Sequence, residues 1–355
     1  MSEKSRIAWT NATWNPVTGC CKVSPGCKHC YAERDWHRFH GRQEVTIEIA
    51  HSPIGDGRRI TEVRGPRPFT HVLTHPERLE VPLRWKRPRL IFVNSMSDLF
   101  HEAVPDSFID RVFAIMALSP QHTYQILTKR PERMRAWFDP GHDNREHAVG
   151  ETMRLLTQGR DPGLPEWPLR NTWLGVSAEN QETANERIPL LLETPAAVRW
   201  LSAEPLLSPV SFEEVPVGMF GPLRPYGGRG PDTPGLDWVV VGGESGPHAR
   251  EMRGEWVRTM LTQCQEARVP FFMKQLGAAY SDPSNGIAGA ALAEPPDMRA
   301  LIRHRLRSRS GADPTEWPAD LQVREFPGVS GEVSAITNGQ EPAGRRIPKN
   351  REKTS

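Results

Sequence analysis

The residues of this chain best suited to chemistry are thiols crowded into one short loop. Four of its five cysteines fall within Gly19-Cys20-Cys21-Lys22-Val23-Ser24-Pro25-Gly26-Cys27-Lys28-His29-Cys30. Cys27 and Cys30 form a C-x-x-C pair, a bidentate grip for a metal or a cluster. Cys20 or Cys21 supplies a third thiolate, across a turn that Pro25 and Gly26 allow to fold back. A structural zinc site wants four closed ligands, so Cys21, His29 or a distant residue would have to complete one. A [4Fe–4S] cluster on three cysteines leaves one iron open to a cofactor or substrate. Plain buried thiols are the third reading, and Cys264, on an apolar helix face, belongs to that class.

A second set of polar residues stands at the ends of short apolar runs. Ser95, Ser97 and Asp98 follow run 90–93, and Lys129 and Arg130 follow run 123–127. Ser177 and Glu179 follow 172–176, Glu204 follows 198–201, Gly242, Gly243 and Glu244 follow 238–241, and Lys274 and Gln275 follow 269–273. Gly242-Gly243-Glu244-Ser245-Gly246 is a tight turn or a weak nucleotide-loop signal, because it lacks the full dinucleotide fingerprint.

The elements that must position these residues follow from periodicity. The six runs read as strands buried on both faces, with weaker candidates at 13–18, where Pro16 argues for an edge strand, and at 69–73. Helices fit between several of them. Asp106 can cap one, Pro131 opens another, 181–193 is helical with Pro189 expected to kink or restart it, and 255–267 aligns Val257, Met260, Leu261 and Cys264. Buried runs alternating with helices predict an α/β fold with a parallel sheet, a full or partial (β/α) TIM-like barrel with long loop insertions. A doubly wound sheet is the competing architecture. In a barrel all the strand ends open on one face, where active sites sit, so the polar ends are expected to line one pocket.

The chain has 355 residues and a formal charge of +2, so no global field points to nucleic acid or a membrane. No apolar stretch is long enough to span a bilayer and the first residues lack a signal-peptide core, which makes the cytoplasm the default location. Segment 208–236, rich in proline and glycine, reads as an insertion. The barrel is expected to occupy 1–276, followed by a C-terminal extension, 277–355, partly irregular and ending in a disordered tail. The basic run Arg299, Arg303, Arg305, Arg307 and Arg309 lies in that extension, either as a solvated face or as a phosphate contact.

Longer stretches carry a resemblance. Trp14-Asn15-Pro16-Val17-Thr18-Gly19-Cys20 and Cys30-Tyr31-Ala32-Glu33 resemble a phage-associated three-cysteine family of divergent radical S-adenosylmethionine-like proteins. The likeness continues through Asn94-Ser95-Met96-Ser97-Asp98-Leu99-Phe100, Leu127-Thr128-Lys129-Arg130-Pro131, Gly175-Val176-Ser177-Ala178-Glu179, Leu201-Ser202-Ala203-Glu204-Pro205-Leu206, Gly242-Gly243-Glu244-Ser245-Gly246 and Phe272-Met273-Lys274-Gln275. The cysteine spacing departs from the usual radical pattern, with six residues in the first gap and two in the second, as this family has it.

The resemblance implies Cys20, Cys27 and Cys30 as cluster ligands, with Cys21 a bystander that is able to substitute for Cys20. It implies a [4Fe–4S] cluster, S-adenosyl-L-methionine as cofactor, a one-electron reductant as partner, and hydrogen abstraction by a 5′-deoxyadenosyl radical. Ser95, Ser97 and Asp98 would meet the methionine ammonium, and Ser177 and Glu179 the ribose. Lys129, Arg130 or Lys274 would meet a carboxylate or phosphate, and Glu204 and Glu244 would bind substrate or move protons. Nucleic acid modification or repair is one expected outlet. The alternative is a zinc-stabilised nucleic-acid-binding protein without catalysis.

Overall fold

A computed structural model describes residues 5–39, 44–51, 59–139, 145–158, 160, 162–218, 221–223, 234–282, 306–308 and 310–328. The elements run β1 (Ala12–Trp14), β2 (Val17–Thr18), α1 (Tyr31–Phe39), β3 (Glu44–His51), β4 (Arg59–Pro66), β5 (Leu73–Thr74), β6 (Leu90–Val93) and α2 (Asp106–Ala117). They continue with β7 (Thr123–Thr128), α3 (Pro131–Phe138), α4 (Arg145–Leu156), β8 (Thr172–Ser177), α5 (Gln181–Glu193) and β9 (Val198–Ala203). The last are β10 (Trp238–Gly242), β11 (Met252–Arg253), α6 (Gly254–Glu266), β12 (Phe271–Gln275) and β13 (Tyr280–Ser281).

The main sheet has seven strands in the order β1-β6-β7-β8-β9-β10-β12, and every pairing in it is parallel. Each strand lies beside the one before it in the sheet's chain order, so the sheet winds in one direction and curls into a half-barrel. A doubly wound sheet would reverse its strand order, and this one does not.

Alternation along the strands divides the apolar residues between two faces. Ile91, Val93, Ile126, Leu174, Val176, Leu201, Val239 and Val241 turn to the helices and form the larger core. Phe92, Trp173, Trp200, Trp238, Val240 and Phe272 turn the other way, where Trp9 from the N-terminal segment packs among them. Gly175 faces Trp200 across the β8–β9 register, and a Cβ on it would run into the indole ring. That face is thus filled by tryptophan rather than left open.

The edge of β12 is covered by the C-terminal extension. Met273 N–H donates to Val323 O at 2.8 Å and Glu325 N–H to Phe271 O at 2.9 Å, which pairs the extension antiparallel to the strand. Among the arginines of the basic run, Arg307 is described and pairs with Glu316 at 3.1 Å; Arg299, Arg303, Arg305 and Arg309 lie outside the described residues, as does the end of the tail.

Several local expectations shift for physical reasons. Asp106 is the first helical residue of α2, behind Pro105, and its carboxylate binds Arg133 and Arg145 instead of capping the helix. Pro189 leaves α5 continuous, because the helix is anchored by a capping box between Asn180 and Thr183 and packs Ile188, Leu191 and Leu192 inward. The run at 13–18 breaks at Pro16 into β1 and β2, and β2 pairs with β5. The described part of 208–236 buries Val210, Phe212 and Val215 in the larger core. Ser211 N–H donates to Gln181 of α5 and Phe212 N–H to Gln263 of α6, so the segment fills the space of a crossover helix between β9 and β10. The β3–β4 hairpin, antiparallel and separate from the main sheet, is not foreshadowed by those runs. No helix among the described residues is long and apolar enough to cross a membrane.

Candidate functional site

The cysteine loop follows β2 and reaches across the strand ends to Glu179 and Glu244. Gly19 turns it with φ +93°, and a Cβ there would strike the backbone carbonyl of His71. Cys20 N–H donates to Phe69 O at 2.9 Å, and a 3₁₀ turn at Pro25–Cys27 brings the chain round. Cys30 immediately precedes α1, so its thiol faces the free N–H groups of Ala32 and Glu33. Behind the loop, Trp36 and Phe69 pack with Ala32 against Cys20 and Cys30. Buried Arg67 lies over Trp36 and donates to Thr18 O at 3.0 Å and His71 O at 2.8 Å, which fixes the floor of the loop.

One cavity of about 390 Å³ opens at the C-terminal strand ends. Cys20, Cys27 and Cys30 line it, and so do Ser95, Ser97, Asp98, Lys129, Ser177, Glu204, Gly243, Glu244 and Lys274. Cys21 also reaches it, but its Sγ turns toward Thr70 O at 3.9 Å. Of the residues singled out by spacing, Glu179 and Gly242 stand behind the lining. Trp9, Phe92 and Leu127 make an apolar floor.

Two carboxylates tie the loop to the opposite strands. Glu179, fully buried at the end of β8, accepts from Gly26 N–H at 2.8 Å and pairs with Arg187 at 3.3 Å. Glu244, beyond β10, lies 3.0 Å from His29 Nδ1 and is gripped by Arg250 at 2.6 Å, which also donates to Pro25 O at 2.9 Å. Burial pushes the Glu179 carboxyl up, but Lys129, the Ser24 hydroxyl, Gly26 N–H and Arg187 outweigh it and hold it below its usual value. Glu244 is likewise held low, with burial opposed by Arg250 and His29. Sequence spacing did not reveal Arg250 or Ser24, because no local pattern joins them to the loop.

This clamp has a pH consequence. A carboxylate whose folded pKa is depressed contributes stability that is complete above its unfolded value of 4.5 and lost as pH falls through the folded one. The double variant Glu179→Gln, Glu244→Gln should therefore show a shallower loss of melting temperature than wild type as pH falls through the carboxylate range. Parallel curves would remove the clamp from the acid response.

The other polar ends are engaged in defined ways. Both oxygens of Asp98 are used, by Phe100 N–H at 3.0 Å, Thr128 Oγ1 at 2.8 Å, Lys129 N–H at 3.1 Å and Arg130 at 3.3 Å. Ser95 Oγ donates to Asn15 and Ser97 Oγ to Val17 O at 2.8 Å. Lys129 Nζ donates to Ser177 Oγ and lies 3.8 Å from Glu179. Lys274 and Glu204 form a 2.6 Å pair inside the cavity. Gly242 leaves room for the Glu204 side chain, and Gly243 admits the carbonyl of Leu276 where a Cβ would sit. Gly243→Ala should cost on the order of 1–3 kcal/mol in a denaturant melt, since the obstacle is backbone that cannot rotate away; an unchanged midpoint would refute that packing argument.

The donor set at the loop is chemically coherent. Burial pushes the Cys20 thiol up to about 12, with Asp98 adding to the rise and Arg130 opposing it. Burial also raises Cys30, against the helix-start N–H groups that favour its thiolate. No three His, Cys, Asp or Glu side chains among the described residues are gathered closely enough to hold a metal ion. The three thiols share a cavity wall, next to a buried guanidinium, without closing round a point. Soft thiolates are the donor type that zinc and iron–sulfur groups both take.

The fold and site together define an α/β half-barrel carrying a cysteine-rich loop over the C-terminal ends of its strands. Residues 4–346 match the family described as a protein of unknown function (DUF5131), and the chain belongs to that family. Searches of curated proteins and of solved structures return no match.

Proposed function

We propose that the protein is a radical S-adenosylmethionine enzyme whose [4Fe–4S] cluster is held by Cys20, Cys27 and Cys30. The observation that carries this reading is the shared cavity: the three thiols line it together with the polar ends of six parallel strands. When bound, the cluster and cofactor would supply one-electron cleavage of S-adenosylmethionine to methionine and a 5′-deoxyadenosyl radical.

The chain's own residues do the rest. Ser95 and Ser97 present oxygen atoms to an ammonium group, while Asp98, with both oxygens engaged, holds that strand end in place. Lys129 orients Ser177 toward the cavity, where ribose hydroxyls would be met. The Lys274–Glu204 pair offers a cation for a carboxylate or phosphate and a base to move a proton. The apolar floor of Trp9, Phe92 and Leu127 keeps water from the deep end of the site.

Nucleic acid is the substrate class that the rim favours. Arg6 and Arg34 are exposed around the mouth, beside Tyr31, which is 41% exposed and fixed by its hydroxyl on Ser95 O at 2.7 Å. Cations track a phosphate backbone and a held aromatic face stacks on bases.

The deciding experiment is anaerobic purification followed by iron and sulfide analysis and incubation with S-adenosylmethionine and dithionite. A brown protein that releases 5′-deoxyadenosine and methionine is expected. A colourless, zinc-loaded protein that takes up no iron on reconstitution would overturn the proposal. Binding of a single-stranded oligonucleotide should weaken steeply as salt rises, and salt-independent or absent binding would remove nucleic acid as the substrate class.

A further inference from the structure

We infer that Arg130 tunes the reduction potential of the cluster through the first cysteine, with Asp98 and Glu102 as counter-charges; this rests on the iron–sulfur reading above. Arg130 is 5% exposed, and every arm of its guanidinium is committed. One terminal nitrogen donates to Cys20 Sγ at 3.7 Å and to Asp98 at 3.3 Å, the other to Cys21 O at 3.3 Å, and Nε to Glu102 at 3.0 Å. Its backbone is fixed as well: Arg130 N–H donates to Thr128 Oγ1 at 2.9 Å, and that hydroxyl donates to Asp98 at 2.8 Å. A lysine would place a point charge here; the planar fork of arginine reaches the sulfur and the neighbouring carbonyl together.

The physical effect has a definite sign. A hydrogen bond to a ligating sulfur draws electron density from it, and a fixed positive charge favours the more negative, reduced state of the cluster. Both raise the potential. Asp98, buried on the same guanidinium, opposes this with its charge, while Arg130 adds to its own charge the hydrogen bond to the Cys20 sulfur. Glu102 is 67% exposed, and solvent screens most of its opposition. With Arg130 removed, the Asp98 carboxylate would face Cys20 uncompensated.

The test is a potentiometric titration of the reconstituted full chain with dithionite, read by electron paramagnetic resonance. One electron enters per cluster and no covalent bond is made or broken. For Arg130→Gln the reduced-to-oxidised ratio at a fixed potential should fall about tenfold, equivalent to about 59 mV. Arg130→Lys should fall between that and wild type, and Glu102→Gln, which touches no cysteine, should shift slightly upward. A wild-type midpoint in Arg130→Gln overturns the inference while leaving the cluster reading intact. If Arg130→Gln binds no cluster, the other two variants decide: midpoints equal to wild type in both overturn it, and opposite shifts uphold it. Failure of the wild type itself to take a cluster defeats the earlier reading instead.

Discussion

Cys30→Ala should abolish the cluster and the cleavage of S-adenosylmethionine together. Removing a residue that merely orients a metal ligand costs about 10–100-fold, so loss of a ligand should exceed 100-fold in both iron content and 5′-deoxyadenosine formed. The fold should survive. Alanine gives up the contact of the thiol with the first N–H groups of α1, a loss of about 1 kcal/mol, but the packing behind the loop rests on Trp36, Phe69 and Arg67, which the substitution leaves alone. Circular dichroism should therefore match wild type. Cys20→Ala should behave as Cys30→Ala does. Cys21→Ala should stay near wild type, because its sulfur turns to Thr70 O while Cys20 meets Arg130. Retained cleavage in Cys30→Ala, or a loss in Cys21→Ala with none in Cys20→Ala, would break the ligand assignment.

Trp238→Ala should be the most damaging single core change. Trp238 is fully buried, and its ring meets Trp173 at 5.7 Å, Trp200 at 5.5 Å, Phe272 at 5.8 Å and Phe326 at 5.3 Å between centroids. Its indole N–H donates to Glu325 O at 2.8 Å. One side chain thus joins the second face of the sheet to the C-terminal extension. Truncating a buried tryptophan costs about 3–5 kcal/mol, which lowers the melting temperature on the order of 10 °C in a chain of this size. Because Glu325 and Phe326 lose their anchor, limited proteolysis should cut the extension before the barrel. Trp238→Phe should lose less, since a ring remains in the gap. A melting temperature within a degree or two of wild type (about the effect of 0.5 kcal/mol) would contradict this account of the core.

The strands were legible because each is a run of apolar residues buried on both faces, a pattern that needs no knowledge of neighbours. β6 ends where its apolar run ends, and β7 to β10 extend one or two residues beyond theirs into the polar ends. The β3–β4 hairpin was not legible: it pairs only with itself, outside the main sheet, and the segment was not among the runs picked out. Segment 208–236 was recognisable as irregular, but nothing in its composition says that Phe212 and Val215 are buried with the helices.

For the site, residue types and spacing alone singled out the cysteine cluster, with Cys20 and Cys21 still alternatives, and a row of polar strand ends. They did so because a parallel sheet sends all its strand ends to one side, so that local order along the chain becomes spatial order. What only the tertiary structure decided is how those residues are used. Glu179 and Glu244, which the resemblance implies as a ribose contact and as a residue that binds substrate or moves protons, each also bond to the cysteine loop across more than 150 residues of chain. Arg130 reaches Cys20 across 110 residues, and Asp98 directs its charge. Such contacts depend on which loop crosses the mouth of the half-barrel and which guanidinium is buried beneath it. The order of residues carries the ligands, and the closure of the loop over the strand ends determines their partners.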